Sequence, residues 1–347
     1  MSRVITYILF VALGLFPGAV LAAQSPAEDK SIYDFEDTLL EEELVYPDWF
    51  AEHFGDLPEA HANAIAAGKR GLIVYFGQKR CSYCEKFQRH NLEAPDIRNY
   101  LQNNFDLVAV DIWGVEDIVM MDGDVVTERE FSVFEGTNFT PSLIFYDEAG
   151  QQILRLRGFY PPYKFRAALK YVAEGFYKAE SLRQYMARAD PGMIFDPDGL
   201  NEQDFFVEPP HNLDRRKFKS DLPLVVFFEQ GKCHACDVLH TGPMSDDRLR
   251  TEVQKMEAVQ LDMWSDVPVI TPQGKRTTAR EWANDLGLFY APAMVIFDES
   301  GNEVMRVDAV TQFYRLLGVF DYVNNRAYRK MRNYQEWRLS RRELVPN

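Results

Sequence analysis

Leu72-Ile-Val-Tyr-Phe76 runs into Cys81-Ser-Tyr-Cys84, and Leu224-Val-Val-Phe-Phe228 runs into Cys233-His-Ala-Cys236. These two stretches decide the fold, because they are one motif written twice. In each, an apolar run of buried-strand length leads within a few residues to a Cys-x-x-Cys pair. The match continues downstream. Asp111-Ile-Trp113 pairs with Asp262-Met-Trp264, and Thr127-Glu-Arg-Glu-Phe131 with Thr278-Ala-Arg-Glu-Trp282. Thr140-Pro141 pairs with Ala291-Pro292, Asp147-Glu-Ala-Gly150 with Asp298-Glu-Ser-Gly301, and Tyr171-Val172 with Tyr322-Val323. So regular a register over more than a hundred residues identifies an internal repeat.

Each copy reads the same way. An apolar strand (72–76; 224–228) leads to the cysteines. A helix follows; in the first copy Phe87, Ile97, Tyr100, Leu101 and Phe105 recur at helical spacing. A second strand (107–111; 258–262) precedes a turn-rich insert, Asp122-Gly-Asp124 or Pro272-Gln-Gly274. A short helix then starts at Thr127 or Thr278, N-caps with Glu130 or Glu281 at the third position. Two strands joined by a glycine turn (142–147 with 152–157; 293–298 with 303–307) and a long amphipathic helix (163–187; 311–339) close the unit. The order β-α-β-α-β-β-α predicts an α/β chain, with a mixed sheet and helices on both faces in each repeat.

Around this core the chain divides into 1–23, an acidic segment 24–60, a first domain 61–187, a linker 188–211, a second domain 212–335 and a basic tail 336–347. Residues 1–23 carry one arginine, an apolar run from Val4 to Phe16 and a small-residue exit through Val20 and Ala22. That pattern predicts a secretory signal peptide; an uncleaved membrane anchor is the alternative. A bacterial periplasm is the expected compartment. The linker is punctuated by Asp190-Pro-Gly192, Asp196-Pro-Asp-Gly199 and Glu208-Pro-Pro210. The acidic segment also carries Tyr33, Phe35, Tyr46, Trp49, Phe50 and Phe54, and one expectation is that it docks near the basic tail. With 38 Lys and Arg against 53 Asp and Glu, the net charge of −15 disfavours a nucleic-acid surface. Four cysteines in 347 residues are too few for a disulfide-stapled scaffold.

All four cysteines fall in the two pairs, and that spacing has a chemical logic. Thiols three positions apart at a helix start can close a disulfide with little backbone movement. The first sits where unpaired N–H groups and the helix dipole stabilise a thiolate. Cys81 and Cys233 are therefore the expected attacking sulfurs, and Cys84 and Cys236 the resolving ones.

Each repeat resembles a thioredoxin-fold domain: a strand, Cys-x-x-Cys at a helix start, and Thr140-Pro141 or Ala291-Pro292 before the final hairpin. More narrowly the repeats resemble periplasmic sulfur-oxidation-associated thioredoxins and the catalytic domains of disulfide isomerases. The resemblance implies a cis-proline beside the cysteines that presents its backbone to a substrate chain, a role for Thr140, Pro141, Ala291 and Pro292. Tyr83, inside the first motif, is placed at the substrate surface. The implied activity is thiol–disulfide exchange on protein or mixed disulfides, recharged by a membrane-bound thiol electron donor, with no cofactor and no metal.

The repeats also depart from the family. Arg80 and Lys232 precede the pairs where thioredoxins carry Trp. Tyr75 and Phe227 stand where thioredoxin has a buried acid, leaving Glu229, Glu85 and Asp237 as candidate proton acceptors. The redox direction stays open, because Lys79, Arg80 and Lys232 oppose Glu85 and Asp237. Rival readings are a tandem binding or chaperone module, and a copper-handling module using His90 or His240. Trp113 and Trp264 read as packing residues.

Overall fold

The computed structural model describes residues 32–52, 55–189 and 199–343. The signal peptide read at 1–23, the start of the acidic segment, the middle of the linker and the last four residues lie outside the described residues.

The first repeat runs α1 (Leu57–Ala66), β1 (Gly71–Gly77), α2 (Ser82–Phe87), α3 (Pro95–Asn104), β2 (Phe105–Asp111), β3 (Asp117–Val119), β4 (Val125–Thr127), α4 (Glu128–Phe134), β5 (Ser142–Tyr146), β6 (Gln152–Leu156), α5 (Pro162–Ala173) and α6 (Leu182–Ala189). The second runs β7 (His211–Asn212), β8 (Leu224–Glu229), α7 (His234–Thr241), α8 (Asp247–Val253), β9 (Glu257–Asp262), β10 (Pro268–Ile270), β11 (Arg276–Thr278), α9 (Ala279–Asp285), β12 (Ala293–Phe297), β13 (Glu303–Val307), α10 (Phe313–Asn324) and α11 (Tyr334–Glu343). The two main sheets have the orders β2-β1-β5-β6 and β13-β12-β8-β9. In each, the strand before the cysteines pairs parallel on one side and antiparallel on the other.

The apolar runs become central strands because both their faces are covered. Along β1, Ile73 and Tyr75 enter one core while Leu72, Val74 and Phe76 enter the opposite one. Along β8, Val225 and Phe227 alternate in the same way with Leu224, Val226 and Phe228.

The structure revises three elements. The helix after the first cysteines is not continuous: α2 passes through a π-helical turn, Gln88–Leu92, before α3 starts afresh at Pro95. Proline has no N–H to extend a preceding helix but suits a first turn. The turn-rich inserts fold into the short hairpins β3–β4 and β10–β11. The long closing helices end early, with left-handed residues shortly after them, Gly175 (φ 74°) and Arg326 (φ 52°). Such residues reverse the chain, so α6 and α11 are separate helices. The expected N-caps hold: Thr127 accepts from the Glu130 N–H in a complete capping box, and Thr278 accepts from the Glu281 N–H.

The two repeats share a buried seam. Tyr160 stacks on Phe289 at 5.3 Å and meets Tyr290 edge-on. The Val310 N–H donates to the Phe159 carbonyl at 3.0 Å. Arg183, buried on α6, donates to the carbonyls of Leu288 (2.5 Å) and Met263 (2.6 Å) and lies 3.8 Å over the Trp264 ring. The acidic segment meets the basic tail at one point, where Asp37, Thr38 and Leu39 line a small cavity together with Arg338. Ile32 and Tyr33 are buried in the first repeat's core, and Phe35, Tyr46, Trp49 and Phe50 pack against it. Aromatic burial outweighs what exposed, screened charge pairs would contribute.

Candidate active site

Cys81 and Cys233 are the N-caps of α2 and α7. Each sulfur accepts a backbone N–H from the second cysteine of its pair, at 3.0 Å in the first repeat and 3.1 Å in the second. Both pairs are closed as disulfides, with Cα separations of 5.1 and 5.2 Å. Cys84 and Cys236 are fully buried, whereas Cys81 and Cys233 keep 3% and 7% exposure. In each pair the less deeply buried cysteine is thus the one at the helix N-terminus, where N–H groups favour negative charge.

Thr140-Pro141 and Ala291-Pro292 both have cis peptide bonds and lie beside their cysteines. The two copies differ here. Cys81 Sγ is 3.3 Å from Thr140 Oγ1, while Cys233 Sγ faces the Ala291 carbonyl at 3.7 Å. In the first copy a directed chain leads to the sulfur. Trp113 Nε1 donates to Gln78 Oε1 at 2.9 Å, and Gln78 Nε2 donates to Thr140 Oγ1 at 3.0 Å. Because an indole can only donate, the Gln78 amide oxygen must face Trp113 and its NH2 must face Thr140. Trp264 Nε1 and Gln230 Oε1 repeat the first link at 2.9 Å, but Ala291 has no hydroxyl to continue it. Trp113 and Trp264 therefore do more than pack. Gln78 and Gln230 were not singled out from sequence, although their matched positions three residues before each pair were a usable signal.

Tyr83, expected at the substrate surface, is buried at 5% exposure. Its hydroxyl donates to Asp37 Oδ2 at 2.7 Å and accepts the Gln312 N–H at 2.8 Å. Burial, the dominant cause, holds this phenol well above its ordinary range, so it stays a neutral donor. Residues 37–46 of the acidic segment form a strap along the first motif, with the Leu44 N–H on the Lys79 carbonyl at 2.6 Å and an antiparallel Leu39–Cys81 bridge; this strap and the second repeat cover the ring, and neither is visible in the local sequence.

The candidate acids separate clearly. Glu85 lies 3.2 Å from Lys86, and Asp237 accepts from Asn201 at 3.0 Å, both toward the surface. Glu229 is wholly buried at the end of β8, 2.7 Å from His240 Nε2, and accepts from Gln260 at 3.1 Å. His240 stands one helical turn beyond Cys236 on the same face of α7, so the pair lies on the buried side of the second dithiol. His240, considered as a copper ligand, is thus held by Glu229; His90 stacks near Phe159. The first repeat has Gly77 and Gln88 at the matching positions. A side chain at Gly77 would collide with both Tyr46, whose hydroxyl lies 2.6 Å from where a Cβ would stand, and the buried Tyr75, whose ring Cε1 lies 2.7 Å from it. The Tyr75 hydroxyl is buried nearby without a hydrogen-bond partner among the described residues.

The thioredoxin-like domain family model matches residues 57–173 and 216–324, well over half of the chain. The chain belongs to the thioredoxin-like family. Its thioredoxin-like repeats are similar to a thioredoxin-fold protein from Helicobacter pylori (21% identity, 48% of this chain and 100% of that one, TM-score 0.35). They are also similar to a thioredoxin from Thermus thermophilus (25%, 37% and 95%, TM-score 0.29). A third similar structure is the C-terminal domain of DsbD from Neisseria meningitidis in its oxidised form (17%, 35% and 97%, TM-score 0.28). No curated protein matches the chain. With a Cys-x-x-Cys pair capping a helix in each thioredoxin-like repeat, the chain is a thiol–disulfide oxidoreductase.

Proposed function

We propose that the protein works in the periplasm on protein or mixed disulfides, in the reductase or isomerase direction, and draws electrons from a membrane-bound thiol donor. The observation that carries this reading is the juxtaposition, in both repeats, of a helix-capping sulfur with a cis X-Pro bond. That arrangement suits a substrate disulfide held beside the attacking sulfur. A Cys81 or Cys233 thiolate attacks one substrate sulfur and the other leaves as a thiolate. Cys84 or Cys236 then attacks the mixed disulfide, releasing the second substrate thiol and leaving the enzyme pair oxidised by two electrons. A donor dithiol must return those electrons. The secretory pattern of residues 1–23, and the use of every cysteine in an exchange pair, support an extracytoplasmic role.

The test is insulin reduction by the full chain with Cys81→Ser, Cys233→Ser and both. The double variant should be inactive; retained activity would remove the exchange reading. Equilibration of each pair in glutathione buffers tests direction, since potentials well below about −200 mV fit a reductase and values near about −120 mV an oxidase. Cell fractionation of the native protein tests the compartment.

A further inference from the structure

The two repeats meet through matched positions. Phe159 and Val310 follow β6 and β13 at equivalent places, and the N–H of one donates to the carbonyl of the other. Gly158 and Ala309 are likewise matched, and a Cβ at Gly158 would stand 2.7 Å from that of Ala309. Contacts between equivalent residues mark a pseudo-two-fold interface, in which each unit offers the other the same surface. One consequence is that the closing helix of each repeat crosses to the cis-proline loop of the other. From α6, Arg183 holds the Leu288 carbonyl. From α11, the Tyr334 N–H donates to Asn138 Oδ1 at 3.0 Å, and Gln335 Nε2 donates to the Asn138 carbonyl at 2.7 Å. The second repeat thereby reaches the first dithiol.

A cavity of about 30 Å3 beside Cys81 is bounded by four charged side chains, Asp37, Arg80, Arg315 and Arg338. Two of its three guanidiniums thus come from the second repeat. Arg315 is buried at 9% exposure; it donates to the Thr140 carbonyl at 2.9 Å and lies 3.3 Å over the ring of Tyr83, inside the first motif. Thr140 in turn holds its hydroxyl 3.3 Å from Cys81 Sγ. Burial draws the Arg315 guanidinium down, but an arginine keeps its charge. Asp37 is the one carboxylate on this wall, and its charge is already met. It accepts from the Tyr83 hydroxyl and from the Tyr314 (2.9 Å) and Arg315 (2.8 Å) N–H groups at the start of α10, groups that a helix leaves unpaired. Apart from Cys81 itself and the neutral Tyr83 phenol, no other bounding residue titrates. The remaining charges of this motif pair with each other toward the surface, Lys79 with Glu43 and Lys86 with Glu85. The surroundings of Cys81 are therefore positive on balance.

We infer that Arg315 and Arg338 are positioning residues of the first dithiol: through them the second repeat stabilises the Cys81 thiolate and makes the Cys81–Cys84 couple more oxidising than the first repeat's own residues would. This rests on the exchange reading above, and its test separates the two. The full chain, with Cys233 and Cys236 replaced by serine, is reduced and the pH at half-maximal iodoacetamide reaction of Cys81 is measured; glutathione buffers then give the Cys81–Cys84 equilibrium. A nearby opposite charge moves a titration by about one to three pH units, so Arg315→Met should raise the midpoint by about one unit and move the equilibrium several-fold toward the disulfide. Arg315→Lys, which keeps the charge but not the planar fork, should recover most of that change. Arg338→Gln, at a half-buried residue, should raise the midpoint by less, and about 1 M salt should remove most of its effect while sparing that of Arg315→Met. An unmoved midpoint in Arg338→Gln, or in a folded Arg315→Met, would overturn the inference. So would an equal rise in Arg315→Lys, since packing rather than charge would then be the cause. Failure of the wild-type chain to reduce insulin would instead count against the exchange reading and leave these midpoints standing.

Discussion

Replacing Thr140 with valine keeps the shape beside Cys81 and removes one hydroxyl. The Gln78 amide donates to that hydroxyl's oxygen, so the hydroxyl's own proton is free for Cys81 Sγ at 3.3 Å. A hydrogen bond to a charged group contributes about 1.5–3 kcal/mol. An O–H donor to a large, soft sulfur belongs at the lower end, and about 1.4 kcal/mol corresponds to one pH unit. In a chain whose second pair is replaced by serine, the pH at half-maximal iodoacetamide reaction of Cys81 should therefore rise by about one unit in Thr140→Val. The Cys81–Cys84 couple should become correspondingly more reducing, because the thiolate of its reduced form has lost a donor. Gln78→Leu should shift the midpoint in the same direction but less, since it frees the hydroxyl to turn without removing it. The reciprocal change is the sharper control. Gln230 and Trp264 stand ready in the second repeat, so Ala291→Thr should lower the midpoint at Cys233. An unmoved midpoint in Thr140→Val, with the protein folded, would refute the reasoning.

Three further outcomes follow from buried polar groups. Glu229→Ala leaves His240 and Gln260 without their acceptor, and leaving a buried donor unsatisfied costs about 1–3 kcal/mol, so chemical denaturation should show a loss that Glu229→Gln largely avoids. Arg183→Ala strips the donors from two carbonyls of the opposite repeat; burial has already drawn this guanidinium down to about 10. The melting temperature should fall, and Arg183→Lys should not restore it, because one ammonium cannot reproduce the planar fork stacked on Trp264. Asp308 is fully buried at the seam and burial raises its carboxyl above the usual range, against partial relief from Arg157 and Arg306. The folded state thus holds this proton more tightly than the unfolded one. Its penalty is absent below the unfolded value and grows as pH rises through the raised one. Asp308→Asn should stabilise the chain at pH 7 and leave its stability near pH 3 little changed; equal effects at both would exclude titration as the cause.

The repeat, the central strands and the cysteine-bearing helix starts were legible because they rest on local chemistry: continuous apolar runs, N-cap threonines and the spacing of two thiols. The short hairpins were not, since three-residue strands such as Asp117–Val119 carry too little alternation to read. The end of α5 was signalled by Gly175, but that of α10 was hidden, because Arg326 adopts a left-handed conformation its side chain does not announce. Tyr83 was misplaced for a different reason. Its environment is made by Asp37, Gln312 and Arg315, from 46 residues before it to 232 after, and such long-range packing leaves no local trace.

The matched positions of the two repeats show where their chemistry divides. Both keep the Trp–Gln link, and both cap a helix with the attacking cysteine. They part at Thr140 against Ala291 and at Gly77 against Glu229. The second divergence is tied to the strap. Glycine at 77 leaves the space that Tyr46 enters, whereas the second repeat spends the equivalent position on a buried carboxylate paired with histidine. A larger residue at Gly77 would therefore have to displace Tyr46 as well as press on the Tyr75 ring. Gly77→Ala is then a probe of the strap that alters no cysteine, no cis-proline and no charge. It should loosen the pairing over residues 39–44 and, in the reduced chain, speed the reaction of Cys81 with a 5 kDa polyethylene-glycol maleimide relative to N-ethylmaleimide. If it lowers stability but leaves the labelling of Cys81 unchanged, the clash is taken up by the Tyr75 core and the pairing of residues 39–44 does not govern access to that sulfur.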